Sequence, residues 1–152
     1  MPDIYDSQAG PHPHHFALMF ALTSAVLVLD PSSAVASKLQ YSSREYLDTA
    51  WACLVAGKMF THTTLESLVA LSFIGACLLN ADDKKSPDGN FAVFGLAVRL
   101  AVIAGYHRDP SLLHQEMPLE EMDARRRIWY ELLSSDRLHV KPLQSMEVLK
   151  RS

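Results

Sequence analysis

Cysteine is scarce in this sequence, which contains two residues of this type, Cys53 and Cys77. A structural zinc site needs about four ligands, so these cysteines cannot build one by themselves. Both lie in apolar surroundings far apart in the chain, which is typical of reduced, buried thiols in an intracellular protein. Three histidines near the start, His12, His14 and His15, form only a weak candidate metal site, because no carboxylate or thiolate accompanies them. We therefore expect no metal ion and no other cofactor in this chain.

An excess of positive charge is also missing. The 14 lysines and arginines are outnumbered by 17 aspartates and glutamates, which gives a formal net charge of −3. A free-standing DNA-binding protein normally carries a basic face, so we predict no direct DNA binding by this chain alone. The apolar run at residues 16–29 is shorter than the roughly 20 residues that cross a bilayer. Asp3 and Asp6 precede this run in place of the basic residues of a signal peptide, and we predict no membrane association.

Signatures of catalysis are absent as well. The triplet His107-Arg108-Asp109 is similar to the catalytic triplet of protein kinases, but the next residues are Pro-Ser-Leu-Leu-His, without the required asparagine. No glycine-rich phosphate loop precedes it, and no Ser-His-Asp or Cys-His arrangement stands out. Gly105 and the pair Asp109-Pro110 instead indicate a helix end, a turn and a short new helical segment. We predict that the protein has no catalytic residues and is not an enzyme.

Helical periodicity is what the sequence does contain over most of its length, whereas the alternating pattern of strands is missing. Capping boxes at Ser42 with Glu45 and at Thr63 with Glu66 mark two helix starts. We predict an all-α fold, an antiparallel helical array of about five helices. Their predicted ranges are residues 13–29, 42–57, 63–79, 90–105 and 118–138.

These helices define the predicted domain organisation. Residues 1–12 form a disordered lead-in, residues 13–138 form the domain, and residues 139–152 form a divergent C-terminal tail. The first helix is apolar on nearly every side, which predicts a central position in the bundle.

Arg99 is the only charged residue in the apolar stretch from Phe91 to Ala104. A buried charge without a partner is strongly destabilising. We therefore predict a buried ion pair between Arg99 and a carboxylate of the fifth helix, with Asp136 as the first choice and Glu131 as the second. The alternative is a small-molecule sensor with a ligand pocket near Arg99. In that case Trp51, Phe94 and Trp129 would line the pocket.

The three consecutive arginines of the fifth helix point in different directions and cannot form one cationic patch. At four-residue spacing, Glu121 is a local partner for Arg125, and Asp123 for Arg127. Arg126 has no acid at that spacing. We predict that it finds its partner elsewhere in the fold.

Four ordered blocks of this sequence resemble the fungal-specific transcription factor domain, the regulatory middle region of fungal zinc-cluster transcription factors. The blocks are Gly95 to Ala101, Gly105 to Pro110 with His107, Arg108 and Asp109, Arg125 to Trp129 with Arg126, and the pair Asp136-Arg137. Residues 13–20 also resemble an early helix of that domain. The resemblance covers about residues 13–137.

The resemblance implies an all-helical, non-enzymatic regulatory domain that controls DNA-templated transcription in the nucleus. Its partners would be proteins of the transcription machinery, a dimer partner or a small-molecule effector. Zinc and DNA binding would belong to a separate six-cysteine module, which is absent from this sequence. After Arg137 the family usually continues towards a Gly-Arg-Pro segment, whereas this chain reads Leu-His-Val-Lys-Pro. We therefore expect a partial domain, a truncated part of a larger helical array.

Overall fold

A computed structural model describes residues 10–80, 89–112 and 116–149. For residues 89–91 and 138–149 the description covers the backbone only. The described part of the chain is all-α and contains no strand, which confirms the predicted fold class. Its five α-helices are α1 (Pro13–Leu29), α2 (Ser43–Ala56), α3 (Leu65–Asn80), α4 (Gly89–Ile103) and α5 (Leu119–Leu149). Short 3-10 helices occupy Ala36–Lys38 and Pro110–Leu112.

The structure differs from the predicted ranges just before the first helix and at the end of the fifth. Residues 1–9 of the predicted lead-in lie outside the described residues, but His12 is ordered as the N-cap of α1, where its side chain accepts the backbone N–H of His14. Helix α5 continues past the predicted end at residue 138 and includes residues 139–149 of the predicted tail. It passes through Pro142, which lacks one backbone donor but does not end the helix here.

The two predicted capping boxes had different outcomes. Ser42 and Glu45 form theirs at the start of α2, with reciprocal bonds between each side chain and the other residue's backbone N–H. At the start of α3 the box lies one residue later than predicted. The Ser67 N–H donates to Thr64 Oγ1 at 3.2 Å and the Thr64 N–H donates to Ser67 Oγ at 3.0 Å. Thr63 instead donates its hydroxyl to the Met59 carbonyl.

Helix α1 packs against α2 and α3, and the chain then continues through α3–α4 and α4–α5 contacts. The largest fully buried apolar side chains of this core are Leu54, Met59, Leu68, Leu71 and Leu132. Burial of such side chains contributes about 1.5–3 kcal/mol each to folding, so these contacts dominate the stability of the domain.

The predicted central position of α1 in the bundle is wrong, because one face of this helix is exposed. Its small residues Ala17, Ala21 and Ser24 are completely buried, and the Ser24 hydroxyl lies 2.7 Å from that of Ser43 at the start of α2. Small side chains let the neighbouring helices approach closely. Some of the large apolar residues of α1 are partly buried against the core, and the others lie on an outer face. That outer face carries five side chains that are 37–70% exposed, namely Phe16, Met19, Leu22, Val26 and Leu29.

Candidate functional site

Two of the sequence blocks that carry the resemblance, Gly105 to Pro110 and Arg125 to Trp129, meet where α4 turns into α5. Helix α4 ends in a Schellman motif, in which Gly105 has a φ of 80° and the Tyr106 N–H donates to the Ala101 carbonyl at 2.9 Å. Glycine adopts this left-handed conformation without steric penalty, so the chain can reverse within a few residues. We call the following residues the α4–α5 corner: Tyr106, His107, Asp109, Arg125, Arg126 and Trp129.

Asp109 is the polar centre of the α4–α5 corner. Its Oδ1 accepts the Ser111 backbone N–H at 3.0 Å, the Ser111 hydroxyl at 2.8 Å and the Arg126 guanidinium at 2.9 Å. The Ser111 N–H first, and then the Arg126 side chain, lower the Asp109 pKa to about 2. The carboxylate is therefore ionised throughout the neutral range. It caps the 3-10 helix Pro110–Leu112, as the Asp109-Pro110 pair predicted.

Arg126 joins the two sides of the corner. Its contact with Asp109, 17 residues away, confirms that this arginine finds a partner outside its own helix. A second bond, at 3.3 Å, reaches Asp123. The predicted partner of Asp123 was Arg127, which is exposed. The predicted Glu121–Arg125 pair is present, with a separation of 3.7 Å.

Two aromatic contacts also belong to the α4–α5 corner. The Arg125 guanidinium lies 4.5 Å from the ring centre of Tyr106, a buried residue, in a cation–π contact. The exposed His107 ring meets Trp129 edge to face at 6.2 Å. The His107-Arg108-Asp109 triplet is thus a turn that fastens α4 to α5. Arg108, within the triplet, and Arg137, further along α5, are exposed.

The predicted burial of Arg99 is wrong, because this residue is exposed. Within the described part of the chain, neither Asp136 nor Glu131 forms an ion pair with it. The buried face of α4 carries Val93, Ala97 and Leu100, and this helical spacing turns Arg99 towards solvent. Arg99 therefore leaves no uncompensated charge in the core.

A second polar group, which was not predicted from the sequence, lies where α1 meets the segment between α2 and α3. We call it the histidine cluster: His12, His14, His62 and Thr64. His14 is completely buried, and its Nδ1 lies 2.9 Å from the Thr64 hydroxyl. The rings of His12 and His62 stand 4.5 and 6.4 Å from the His14 ring. His62 lies far away in the sequence and is surrounded by polar residues, so no local pattern points to it.

The histidines at this end of α1 contact protein groups nearby. The side chain of His12 caps α1, and His15 contacts Glu66 at 3.7 Å. Among the described residues, no group of three or more histidines, cysteines or carboxylates has the arrangement of a metal site.

The histidine cluster predicts a pH-dependent stability. Burial of the ring and, to a lesser extent, the nearby His12 lower the His14 pKa, whereas the Leu54 carbonyl and Glu66 oppose this shift. The unfolded chain then binds this proton more readily than the folded chain. Stability is therefore fully present above the ordinary pKa of 6.5 and falls as the pH drops below it.

We expect His14→Gln to flatten this pH dependence. Urea unfolding would be measured at about pH 7.5 and about pH 5.5, on either side of the usual titration of histidine. The matched control is His107→Gln, at an exposed position, which should keep the wild-type dependence. An unchanged pH dependence in His14→Gln would contradict the assignment.

Residues 2–141 match the family model described as the fungal specific transcription factor domain. The chain belongs to this family.

Three curated relatives match parts of the chain. The C6 finger domain transcription factor hasF of Aspergillus fumigatus is 31% identical over 77 residues, which are 50% of this chain and 10% of that protein. The Zn(2)-C6 fungal-type transcription factor mpsB of Macrophomina phaseolina is 33% identical over 96 residues, 60% of this chain and 12% of that protein.

The third relative is an uncharacterized transcriptional regulatory protein of Schizosaccharomyces pombe. It is 30% identical over 123 residues, which are 81% of this chain and 14% of that protein. The matched segments thus span between a tenth and a seventh of the length of these relatives. No solved structure gives a significant match. Within the described residues, no helix has the length and apolarity needed to span a bilayer.

Proposed function

We propose that this chain is a regulatory domain of a fungal transcription regulator, which works in the nucleus through contacts with other proteins and carries out no catalysis. The observation that carries the proposal is the family match over residues 2–141. The names of the three relatives support it, since all are transcription factors or regulators.

The chemistry of the cysteines supports a domain that leaves DNA binding to another module. The names of two relatives refer to a six-cysteine or zinc-containing finger, whereas this chain has two cysteines. Burial raises the pKa of both thiols, of Cys53 and of Cys77, and so disfavours the thiolate that binds zinc. These residues do not fit a zinc cluster. We propose that zinc and DNA recognition belong to a separate part of such a regulator.

The polar residues of the α4–α5 corner favour a supporting role over a catalytic one. One oxygen of the Asp109 carboxylate accepts the Ser111 and Arg126 donors, and the low pKa of this group makes it a poor proton acceptor near neutral pH. The exposed apolar face of α1 supports protein contacts, because contiguous exposed apolar surface is characteristic of interaction sites. We infer that partners of the transcription machinery or a second regulator subunit contact the domain.

The alternative, an effector pocket near Arg99, has less support. Arg99 is exposed and lines neither of the two surface cavities at α2. Effector binding would then have to use a different part of the surface.

The test is a reporter assay with the whole chain fused to an unrelated DNA-binding module. We expect the fusion to change reporter transcription relative to the module alone, and Asp109→Ala to weaken this effect by releasing Arg126 and the 3-10 helix. Arg127→Ala, at an exposed position of the same helix, is the matched control. A folded, nuclear fusion with no effect on the reporter would contradict the proposal. Sequence-specific DNA binding by the chain alone would contradict the proposal that a separate module recognises DNA.

A further inference from the structure

A surface cavity of about 620 Å³ lies between α1 and the first half of α2, away from the α4–α5 corner. This volume is within the range of small-molecule sites, which is roughly 300–1,000 Å³. Its lining combines aromatic rings with acidic side chains and has no lysine or arginine. The lining residues are Phe20, Tyr41, Glu45, Tyr46, Asp48 and Thr49.

The aromatic rings form two walls that meet at nearly a right angle. Phe20 and Tyr46 are stacked, with ring centres 6.2 Å apart and an interplanar angle of 26°, and make one wall. Tyr41 makes the other, with its ring centre 6.0 Å from that of Tyr46 and an interplanar angle of 83°. Tyr41 is 58% exposed, so the space between the two walls is open to solvent. The negative π-faces of such walls attract cations.

The acidic side chains add negative charge beside these walls. The Glu45 carboxylate accepts the backbone N–H and the hydroxyl of Ser42, both at 2.8 Å, and these bonds lower the Glu45 pKa. Asp48 has a largely exposed side chain, and its one ion-pair contact among the described residues is with Arg44 at 3.9 Å. This contact is long and solvent-exposed, so it holds Asp48 only weakly.

We propose that this cavity binds an organic cation, an alkylammonium group whose carbons contact the rings of Tyr41 and Tyr46 and whose charge faces Asp48 and Glu45. The rings favour a cation with an apolar surface over a strongly hydrated metal ion, and the carboxylates disfavour anions. The same chemistry is presented by a free quaternary amine and by a trimethylated lysine side chain. The proposal is independent of the regulatory function, because binding can be measured on the chain alone.

The test is titration of the whole chain with choline, followed by NMR of the tyrosine ring signals. The control ligand is 3,3-dimethyl-1-butanol, which has the shape of choline without the charge. We expect choline to shift the Tyr41 and Tyr46 signals and to bind about tenfold more tightly than the neutral analogue, as a partly desolvated cation–π contact would give. Equal binding of the two ligands, or no shift with choline, would overturn the proposal.

Variants separate the two contributions to binding. Tyr41→Leu removes one wall, and Asp48→Asn removes a charge while keeping the shape; both should weaken choline binding severalfold. Arg44→Ala removes the competing cation and should leave binding equal or stronger. Tyr130→Leu, at an exposed tyrosine of α5, is the matched control and should bind like wild type. Glu45 is not substituted, because its loss would also break the cap of α2. Wild-type affinity in a folded Tyr41→Leu protein would overturn the assignment.

A trimethyl-lysine peptide distinguishes the two sources of the cation. Tighter binding of this peptide than of choline, with loss in its unmethylated form, would assign the site to a modified protein. Equal or weaker binding of the peptide would assign it to a free small cation.

Discussion

Replacing Gly57 by alanine is expected to destabilise the domain by about 2–3 kcal/mol, although glycine-to-alanine changes near helix ends are often mild. The backbone itself allows alanine, because Gly57 has a φ of −76°. The added methyl group would instead overlap the ring atoms Cδ2 and Nε2 of His14 and lie 3.2 Å from His12 Cε1. The His14 ring is completely buried and is held by Thr64, so it has no free space into which to move.

Urea unfolding at neutral pH would measure this loss, and two further variants identify its cause. In Gly57→Ala/His14→Ala the overlap is removed, so the double change should be less destabilising than the sum of the single changes. Gly95→Ala is the matched control, because a methyl group at that position of α4 meets nothing within 4 Å. It should stabilise the helix by about 0.5–1 kcal/mol. A Gly57→Ala protein as stable as wild type would show that the packing of His14 is looser than described.

Replacing Leu132 by alanine is expected to reduce the free energy of unfolding by about 2–5 kcal/mol. Leu132 is completely buried and, with Ile128, carries the apolar face of α5 into the core. Truncation would remove apolar contacts and leave a cavity. Arg99→Leu, by contrast, should change stability by less than about 0.5 kcal/mol, because Arg99 is exposed.

Chemical unfolding of both variants, followed by circular dichroism, decides between apolar packing and an ion pair as the link between α4 and α5. If Arg99→Leu proved as damaging as Leu132→Ala, the ion-pair prediction from the sequence would be right and the exposed placement of Arg99 would be wrong.

Local signals explain which parts of this fold the sequence reveals. The capping box of Ser42 and Glu45 depends on residues three positions apart, and it forms as predicted. Gly105 and the pair Asp109-Pro110 likewise mark a turn whose geometry is set within a few residues. That Arg126 finds a distant partner was also predicted from the sequence, because neither residue at four-residue spacing from it is acidic, although Asp123, three residues before it, adds a second bond. The sequence does not identify Asp109 as this partner, because the two residues come together only through the turn between α4 and α5.

The sequence did not reveal which face of a helix is buried or which distant segments are in contact. Helix α4 is apolar on so many sides that its core face was assigned around Arg99, although Val93, Ala97 and Leu100 mark a face that excludes it. Helix α1 posed the same problem, since its small residues are the ones that are completely buried, whereas five of its large apolar residues are exposed. The histidine cluster and the aromatic cavity join residues from separate segments. No periodicity within one segment predicts such a meeting.

The contact between Gly57 and His14 also limits how this domain can diverge. A side chain at position 57 becomes tolerable only after the imidazole at position 14 has been replaced by something smaller, because the two compete for one space. The order of substitutions then matters: loss of the ring must come first, and the glycine becomes free to vary afterwards. Among homologous domains, the two positions should covary, and a bulky residue at 57 together with histidine at 14 should be rare.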